Sequence, residues 1–354
     1  MLNLTEYRKT TTGLTDYLPW ACLVAPGIVL NKDRSFQRTI RYRGPDLDSA
    51  TDAELVAVSA RLNNVLRRFG EGWALFFEAE RVPANQYPGH RFADAASWLV
   101  DQERYASFSA DGAHHESRYY LTLLYLPPPE HQGRAERLLY ERQEGYSDEA
   151  DVWGQLAWFE TETTRALELL ESILPEAEAL DDAETLAYLH GTISDKRHPV
   201  ASPAVPTHLD AILCDTPFLG GVEPKLGRQH LRLLTVTGFP NTTTPGLLDA
   251  LNDLGFAYRW TTRWIALDKM QANRQLTKLR RQWFAKRKSV AAILREVMFN
   301  RETALVDSDA DNKSADADEA LQELGADDVA FGYLTTTLVV GDSDPKRADE
   351  KLLA

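Results

Sequence analysis

The sequence of 354 residues has only two cysteines and no long apolar run. Cys22 and Cys214 lie far apart and form no CxxC pair, which argues against a disulfide framework or a zinc site. No run approaches the roughly 20 apolar residues that a membrane-spanning helix needs, and the N-terminal segment MLNLTEYRKTTTGL lacks the apolar core of a secretory signal. We therefore expect a protein that is made and kept on the cytoplasmic side.

Basic residues are outnumbered, since 39 Lys and Arg face 53 Asp and Glu and give a net charge of −14. Neutralising phosphates requires a surplus of cations, so this balance argues against wholesale nucleic-acid binding, and any such binding would have to be local. The hydrophobic fraction of 44% is ordinary for a soluble globular chain. The length suggests roughly two or three domains.

Signatures of nucleotide binding and hydrolysis are also missing. The sequence contains no GxxxxGK[ST], GxGxxG, GxSxG or HExxH motif and no set of kinase motifs. Gly220 and Gly221 before Val222 are typical of a turn. We expect that this chain by itself does not hydrolyse ATP.

Two stretches of the chain repeat one order of elements: strand, helix, strand, helical insert, strand and helix. The first copy has predicted strands at 36–43, 73–81 and 119–126 and a helix at 51–69; the second has strands at 231–239, 256–267 and 329–340 and a helix at 245–254. A split β-α-β unit needs a fourth strand after its last helix, and the second copy reaches Ala354 first. We therefore interpret the chain as a piece of a longer protein.

The predicted fold class is α+β, with two ferredoxin-like split β-α-β units, helical inserts and mostly antiparallel sheets. We place the first unit at residues 1–146, a helical connector at 147–204, and the second unit, truncated before its last strand, at 205–354. The proline-rich segment 194–206 marks the boundary. Thr51 and Glu54 form a capping box, and Asp181 is able to cap a helix in the connector.

One histidine-containing stretch invites a metal-binding interpretation. His114, His115 and Glu116 stand at the entrance of a strand, where adjacent side chains point to opposite faces. They cannot all bind one ion, and a solvent-exposed strand entry is the simpler interpretation.

The acidic run 307–319 resembles a calcium loop only to a limited extent. Asp307, Asp309 and Asp311 occupy the first, third and fifth positions of an EF-hand-like loop, but Asn312 and Asp318 lie where Gly and Glu are required. We expect instead a helix whose N-terminus is stabilised by these aspartates. The sequence thus predicts no catalytic, cofactor-binding or metal-binding residue.

Residues 273–290 contain seven basic residues and no acidic one, inside an acidic protein. Drawn as a helix, the segment places its basic and apolar residues on separate stripes. Its partner could be an acidic protein or anionic lipid, with single-stranded DNA least favoured, or its charge could be balanced by the acidic run 307–319. The candidate surface consists of Arg274, Lys278, Arg281, Trp283 and Lys288.

Eight segments, taken in order, resemble the N-terminal region of TrbE-type conjugal transfer ATPases, of the TrbE/CagE family of type IV secretion ATPases. They are DYLPWACLVAPGIVLNKD, RGPDLDSAT, SARLNN, DDAETLAYLHGTIS, HLDAILCD, LGFAYRWTTRW, LRRQWFAKRK and DADEALQEL. The resemblance runs essentially from Met1 to Ala354, and its specificity lies in the number and order of the segments.

The resemblance implies a role without chemistry in this chain. In that family the N-terminal half is non-catalytic and associates with the inner membrane and with other secretion subunits, while the Walker motifs, and so ATP and Mg²⁺, belong to the C-terminal half. It implies no cofactor here, a location at the cytoplasmic face of the bacterial inner membrane, an oligomer of the full-length protein, and a docking role in a machine for plasmid conjugation and pilus assembly. The alternatives are a free-standing module that binds nucleic acid or anionic lipid through residues 273–290, and an enzyme on a ferredoxin-like scaffold, for which the sequence offers no cleft of convergent catalytic residues.

We expect the gene to continue past the codon for Ala354 into a closing strand and, further on, a GxxxxGK[ST] motif. Reading the gene in that direction tests this. A stop codon at that point would contradict the ATPase interpretation and favour a free-standing module.

Overall fold

The computed structural model describes residues 13–46, 49–84, 87, 89, 91–110, 114–127, 148–238, 243–287 and 308–354. Its strands are β1 Trp20–Ala25, β2 Ile28–Asn31, β3 Phe36–Arg43, β4 Trp73–Pro83, β5 His115–Tyr125, β6 Glu176–Ala179, β7 Phe218–Leu219, β8 Lys225–Leu226, β9 Gln229–Val236, β10 Tyr258–Ala266 and β11 Gly332–Asp342. Its α-helices are α1 Leu14–Tyr17, α2 Asp52–Leu66, α3 Ala95–Ala110, α4 Asp148–Glu171, α5 Asp182–Ile193, α6 Leu209–Leu213, α7 Lys269–Arg287, α8 Ser308–Ala326 and α9 Pro345–Leu353.

One sheet runs through the described chain. Its strand order is β1-β2-β3-β5-β4-β10-β11-β9-β8-β7, and β6 pairs with β3 beside this path. Every neighbouring pair is antiparallel. The α+β fold class is therefore confirmed.

The first half of the sheet has the ferredoxin-like order. Strand β6 pairs with the second half of β3, with Ile40 opposite Ala179 and Arg43 opposite Glu176, so the spatial order is β6-β3-β5-β4. Helix α4 packs on this half through Phe159 and other buried residues. The sequence assigns α4 and β6 to the connector, and the boundaries at 146 and 204 stay predictions.

The second half repeats three strands of that order. Strands β9, β11 and β10 follow the spatial order of β3, β5 and β4, and β8 pairs with β9 only at Gln229 and His230. The prediction of a helix at 245–254 was wrong: the structure has a five-residue 3-10 helix, Asp249–Asp253. Gly246, at φ 83°, has a left-handed backbone that interrupts any α-helix entering from Pro245.

Local signals set the helix starts in the first half. The side chain of Thr51 accepts a hydrogen bond from the backbone N–H of Glu54, whose carboxylate accepts from the backbone N–H of Thr51 at 2.8 Å. Asp181 and Glu184 form the same reciprocal pair at the start of α5. Both capping predictions are confirmed.

The first half of the sheet is covered on both faces. Alternate strand residues point to opposite faces, so Ile28 joins one core with α4 while its neighbour Val29 joins a second core with α5 and α6. The first core holds the aromatic contact between Trp73 and Phe159, whose ring centroids lie 5.6 Å apart. This two-sided cover explains why β4 and β5 read as hydrophobic runs rather than as alternating strands.

The seam between the two halves is the antiparallel pairing of β4 with β10, from Tyr258 opposite Arg81 to Ile265 opposite Ala74. On the face below α5 this seam buries a cluster of charges. Arg259 donates to Oε1 of Glu78 at 2.7 Å and also to Glu80.

Helix α5 closes the cluster from above. Arg259 donates to the carbonyl oxygen of Gly191 at 3.1 Å, and Arg197 donates to Glu80. The side chains of Glu78 and Glu80 are each 7% exposed, so neither carboxylate has water as a substitute partner. Burial raises the pKa of Glu78, while Arg259 acts against that rise.

We expect Arg259→Leu to lower the free energy of unfolding by about 3 to 5 kcal/mol at neutral pH, because it leaves two buried carboxylates without a cation. A carboxyl group whose pKa is raised by folding contributes stability that is present at low pH and lost as pH rises through the folded pKa. Without Arg259 the pKa of Glu78 rises further, so the loss should be larger at pH 7.5 than at pH 5. Urea unfolding at both pH values measures it.

The matched control is Arg263→Leu, which makes the same change at an exposed position of the same strand. It should cost no more than about 0.5 kcal/mol. Equal losses in the two variants, or a loss from Arg259→Leu that does not grow with pH, would contradict the assigned role of the cluster.

Candidate functional site

Helix α7 carries the basic segment that the sequence singles out. It follows β10, and α8 precedes β11, so the two helices form an insert between neighbouring strands of the second half. They pack against each other with Ala272, Ala317 and Leu324 buried. The prediction that the acidic run 307–319 enters a helix is confirmed, since α8 begins at Ser308. Asp309 and Asp311 therefore lie in helix and not in a calcium-binding loop; Asp307 lies outside the described residues.

Some of the positive charge of α7 is neutralised by α8. Nη1 of Arg280 lies 2.9 Å from Oδ1 of Asp318, and Nζ of Lys269 lies 2.6 Å from Oδ1 of Asp327. The start of α7 thus meets the end of α8, so the helices run antiparallel. The interpretation that acidic neighbours balance the basic helix holds for these two cations.

Three predicted site residues escape this neutralisation. Arg274, Lys278 and Arg281 lie at i, i+4 and i+7, hence on one face of α7, and all three are at least partly exposed. No residue of the described chain forms a hydrogen bond or ion pair with them. We call these three residues the basic face.

The other two predicted site residues are not tested. Trp283 lies within α7, but its side chain is outside what the structure describes, and Lys288 lies outside the described residues. Leu279, next to the basic face, is 45% exposed, so apolar surface adjoins these cations.

The base of the insert is tied to the first half of the fold. Arg67, just after α2, donates to the carbonyl oxygen of Asp327 at 2.8 Å, and Asn63 donates to that of Asp328. Asp268 accepts from the backbone N–H of Gln271 at 2.6 Å and so caps the first turn of α7. The basic face is therefore presented on a helix whose base is fixed.

The histidines near the entrance of β5 take structural contacts. The ring of His114 stacks on Phe108 with centroids 4.2 Å apart and contacts the Phe108 carbonyl oxygen. Glu116 forms an ion pair with Arg118. The structure brings His114 and Glu116 to different partners rather than to a shared ion.

A different histidine cluster was missed by sequence reasoning. His190, His198 and Asp215 come from the end of α5, the following segment and the turn after α6, and one ligand atom from each lies within 4.8 Å of the others. Lys196 donates to Oδ2 of Asp215 at 2.9 Å, and this contact holds the pKa of Asp215 well below its ordinary value. No motif spacing announces the cluster, because the three residues converge only through the packing of α5 and α6.

Among the residues that the structure describes, no helix combines the length and the apolar character that a membrane crossing requires. The observation agrees with the lack of long apolar runs in the sequence.

The comparisons with known proteins match these features. Residues 27–133 fit the family described as type IV secretion system ATPase VirB4/TrbE, N-terminal domain. The conjugal transfer protein TrbE of Rhizobium radiobacter is 29% identical over 371 residues, which cover 99% of this chain and 44% of that protein. The first of two probable conjugal transfer TrbE proteins of Sinorhizobium fredii is 39% identical over 130 residues, covering 36% of this chain and 87% of that protein.

The α+β sheet with helical inserts, together with the match over residues 27–133, defines the class: the N-terminal region of a type IV secretion ATPase. The chain belongs to the VirB4/TrbE family. It spans less than half the length of the R. radiobacter relative.

We expect Lys278→Gln and Arg280→Gln to change stability in opposite directions. Lys278 lies one turn from Arg274 and three residues from Arg281, and like charges at these spacings destabilise a helix by about 0.2 to 0.5 kcal/mol, so neutralising Lys278 should stabilise the chain. Arg280 loses its partner Asp318, so its neutralisation should cost about 0.2 to 1 kcal/mol.

Urea unfolding at low ionic strength measures both changes, and added salt should shrink them together. A loss of stability in Lys278→Gln as large as that in Arg280→Gln would show that the basic face is already paired within the chain.

Proposed function

We propose that this chain is a non-catalytic assembly domain of a type IV secretion ATPase that binds other secretion subunits through the basic face. The observation that carries the proposal is the unpaired state of Arg274, Lys278 and Arg281 among the described residues of a chain with a net charge of −14. Clustered like charges destabilise the helix that carries them, which is a common feature of binding surfaces.

An acidic protein surface is the partner that the geometry favours. The other side of the same helix already binds an acidic helix of this chain through Arg280 and Lys269. Partly exposed Leu279 beside the cations supplies apolar area, as protein interfaces require. The domain would act at the cytoplasmic face of the inner membrane, while ATP hydrolysis and any hexameric or dimeric assembly would belong to the whole protein.

Charge reversal at the basic face tests the proposal. We expect Arg274→Glu, Lys278→Glu and Arg281→Glu together to abolish co-purification with co-expressed secretion subunits of the same transfer system, with the fold intact by circular dichroism. Binding by the unmodified chain should weaken as salt rises.

The matched control reverses Arg68, Arg104 and Arg347, which are exposed cations on three other helical segments and give the same change in net charge. This control should keep its partner. If the control loses binding as well, overall charge is responsible and the basic face is not the contact.

Vesicles of phosphatidylglycerol and of phosphatidylcholine form a second arm of the experiment. Co-sedimentation with phosphatidylglycerol alone, lost in the triple variant while subunit binding survives, would assign the basic face to anionic lipid instead. Binding of single-stranded DNA with the same loss would assign it to nucleic acid.

A further inference from the structure

We propose that His190, His198 and Asp215 form a binding site for one divalent transition-metal ion of the zinc type. The site lies where the end of α5, the segment after it and the turn after α6 meet. It is independent of the proposed docking function, and it departs from the sequence prediction of no metal ligand.

The chemistry of the three side chains suits such an ion. Two imidazoles and one carboxylate are ligands that zinc and related borderline ions prefer, and three protein ligands leave a fourth position for water. A tetrahedral ion with bonds of about 2.0 to 2.1 Å holds its ligand atoms about 3.3 Å apart. Here Nε2 of His190 lies 3.1 Å from Oδ1 of Asp215, and Nε2 of His198 lies 3.8 Å from Oδ2.

The buried histidine supplies a second observation. The side chain of His190 is only 3% exposed, yet its Nε2 makes no hydrogen bond of acceptable geometry among the described residues. Leaving a buried polar atom unpaired costs about 1 to 3 kcal/mol, and a metal ion bound to Nε2 would remove that cost.

His198 is prepared for coordination by its own backbone. Its Nδ1 lies 3.1 Å from the carbonyl oxygen of Pro199. A carbonyl oxygen can only accept, so Nδ1 carries the proton and Nε2, on the side of Asp215, keeps its lone pair. A metal-binding histidine typically donates its other N–H to a carbonyl or carboxylate in this way.

Asp215 is held in place and stays ionised. Ser194 donates to its Oδ1 at 3.0 Å and Thr216 at 2.8 Å, which fixes the carboxylate. Lys196 occupies Oδ2, but its side chain is 54% exposed and free to swing into solvent. An arriving cation would therefore displace the ammonium group of Lys196 and not a buried group.

Cobalt titration of the purified, chelator-treated chain tests the site, since Co²⁺ in a tetrahedral site gives intense visible absorption bands that Zn²⁺ abolishes on displacement. We expect one equivalent of Co²⁺ to bind. His198→Ala and Asp215→Asn should weaken binding by more than about tenfold. Lys196→Ala should strengthen it, because the competing cation is removed.

The matched control is His208→Ala, which replaces a histidine outside the cluster and should bind like the unmodified chain. His198 is half exposed, so its replacement leaves the fold intact, whereas removing the buried His190 opens a cavity and is a less clear test.

Two results would overturn the site: no saturable cobalt band in the unmodified chain, or equal affinity in His198→Ala and His208→Ala. Unchanged or weaker binding in Lys196→Ala would contradict the role of Asp215 as a ligand. A rise in melting temperature on adding Zn²⁺, seen in the unmodified chain and absent in His198→Ala, gives a readout that does not depend on cobalt spectroscopy.

Discussion

The pairing of strand β4 with strand β10 is the constraint on which the rest of the structure depends. These two strands are far apart in sequence, and their ladder converts two partial sheets into one. The ladder runs past a buried cluster in which Arg259 contacts two glutamates and the end of α5. Because charges at low exposure require partners, this cluster specifies the register of the seam as well as its existence.

Local elements were predictable from the sequence, and the seam was not. Thr51 with Glu54, and Asp181 with Glu184, set helix starts through contacts three residues apart, so a reader of the sequence finds them directly. Glu78, Glu80 and Arg259 look like ordinary strand charges until the fold brings them together. The helix expected at 245–254 failed for a local reason, the left-handed backbone of Gly246, which outweighs the apolar spacing around it.

The candidate sites divide in the same way. The basic stripe on α7 was visible as a run of cations at helical spacing, and the structure separates it into Arg280, which is paired, and the basic face, which is unpaired among the described residues. The histidine cluster was invisible because His190, His198 and Asp215 share no motif. Sequence patterns report what one element presents to its surroundings, whereas sites assembled from several elements require the packing.

The connection between the halves has a practical consequence. Residues 195–199 and 204–206 are exposed and lie in no strand or helix, while the strands on either side of them belong to one hydrogen-bonded sheet. A protease that cuts this stretch would therefore break the covalent chain without separating its products. The two fragments should elute together from a size-exclusion column and come apart only in denaturant, so that a nicked preparation would pass for intact protein until it was run on a denaturing gel.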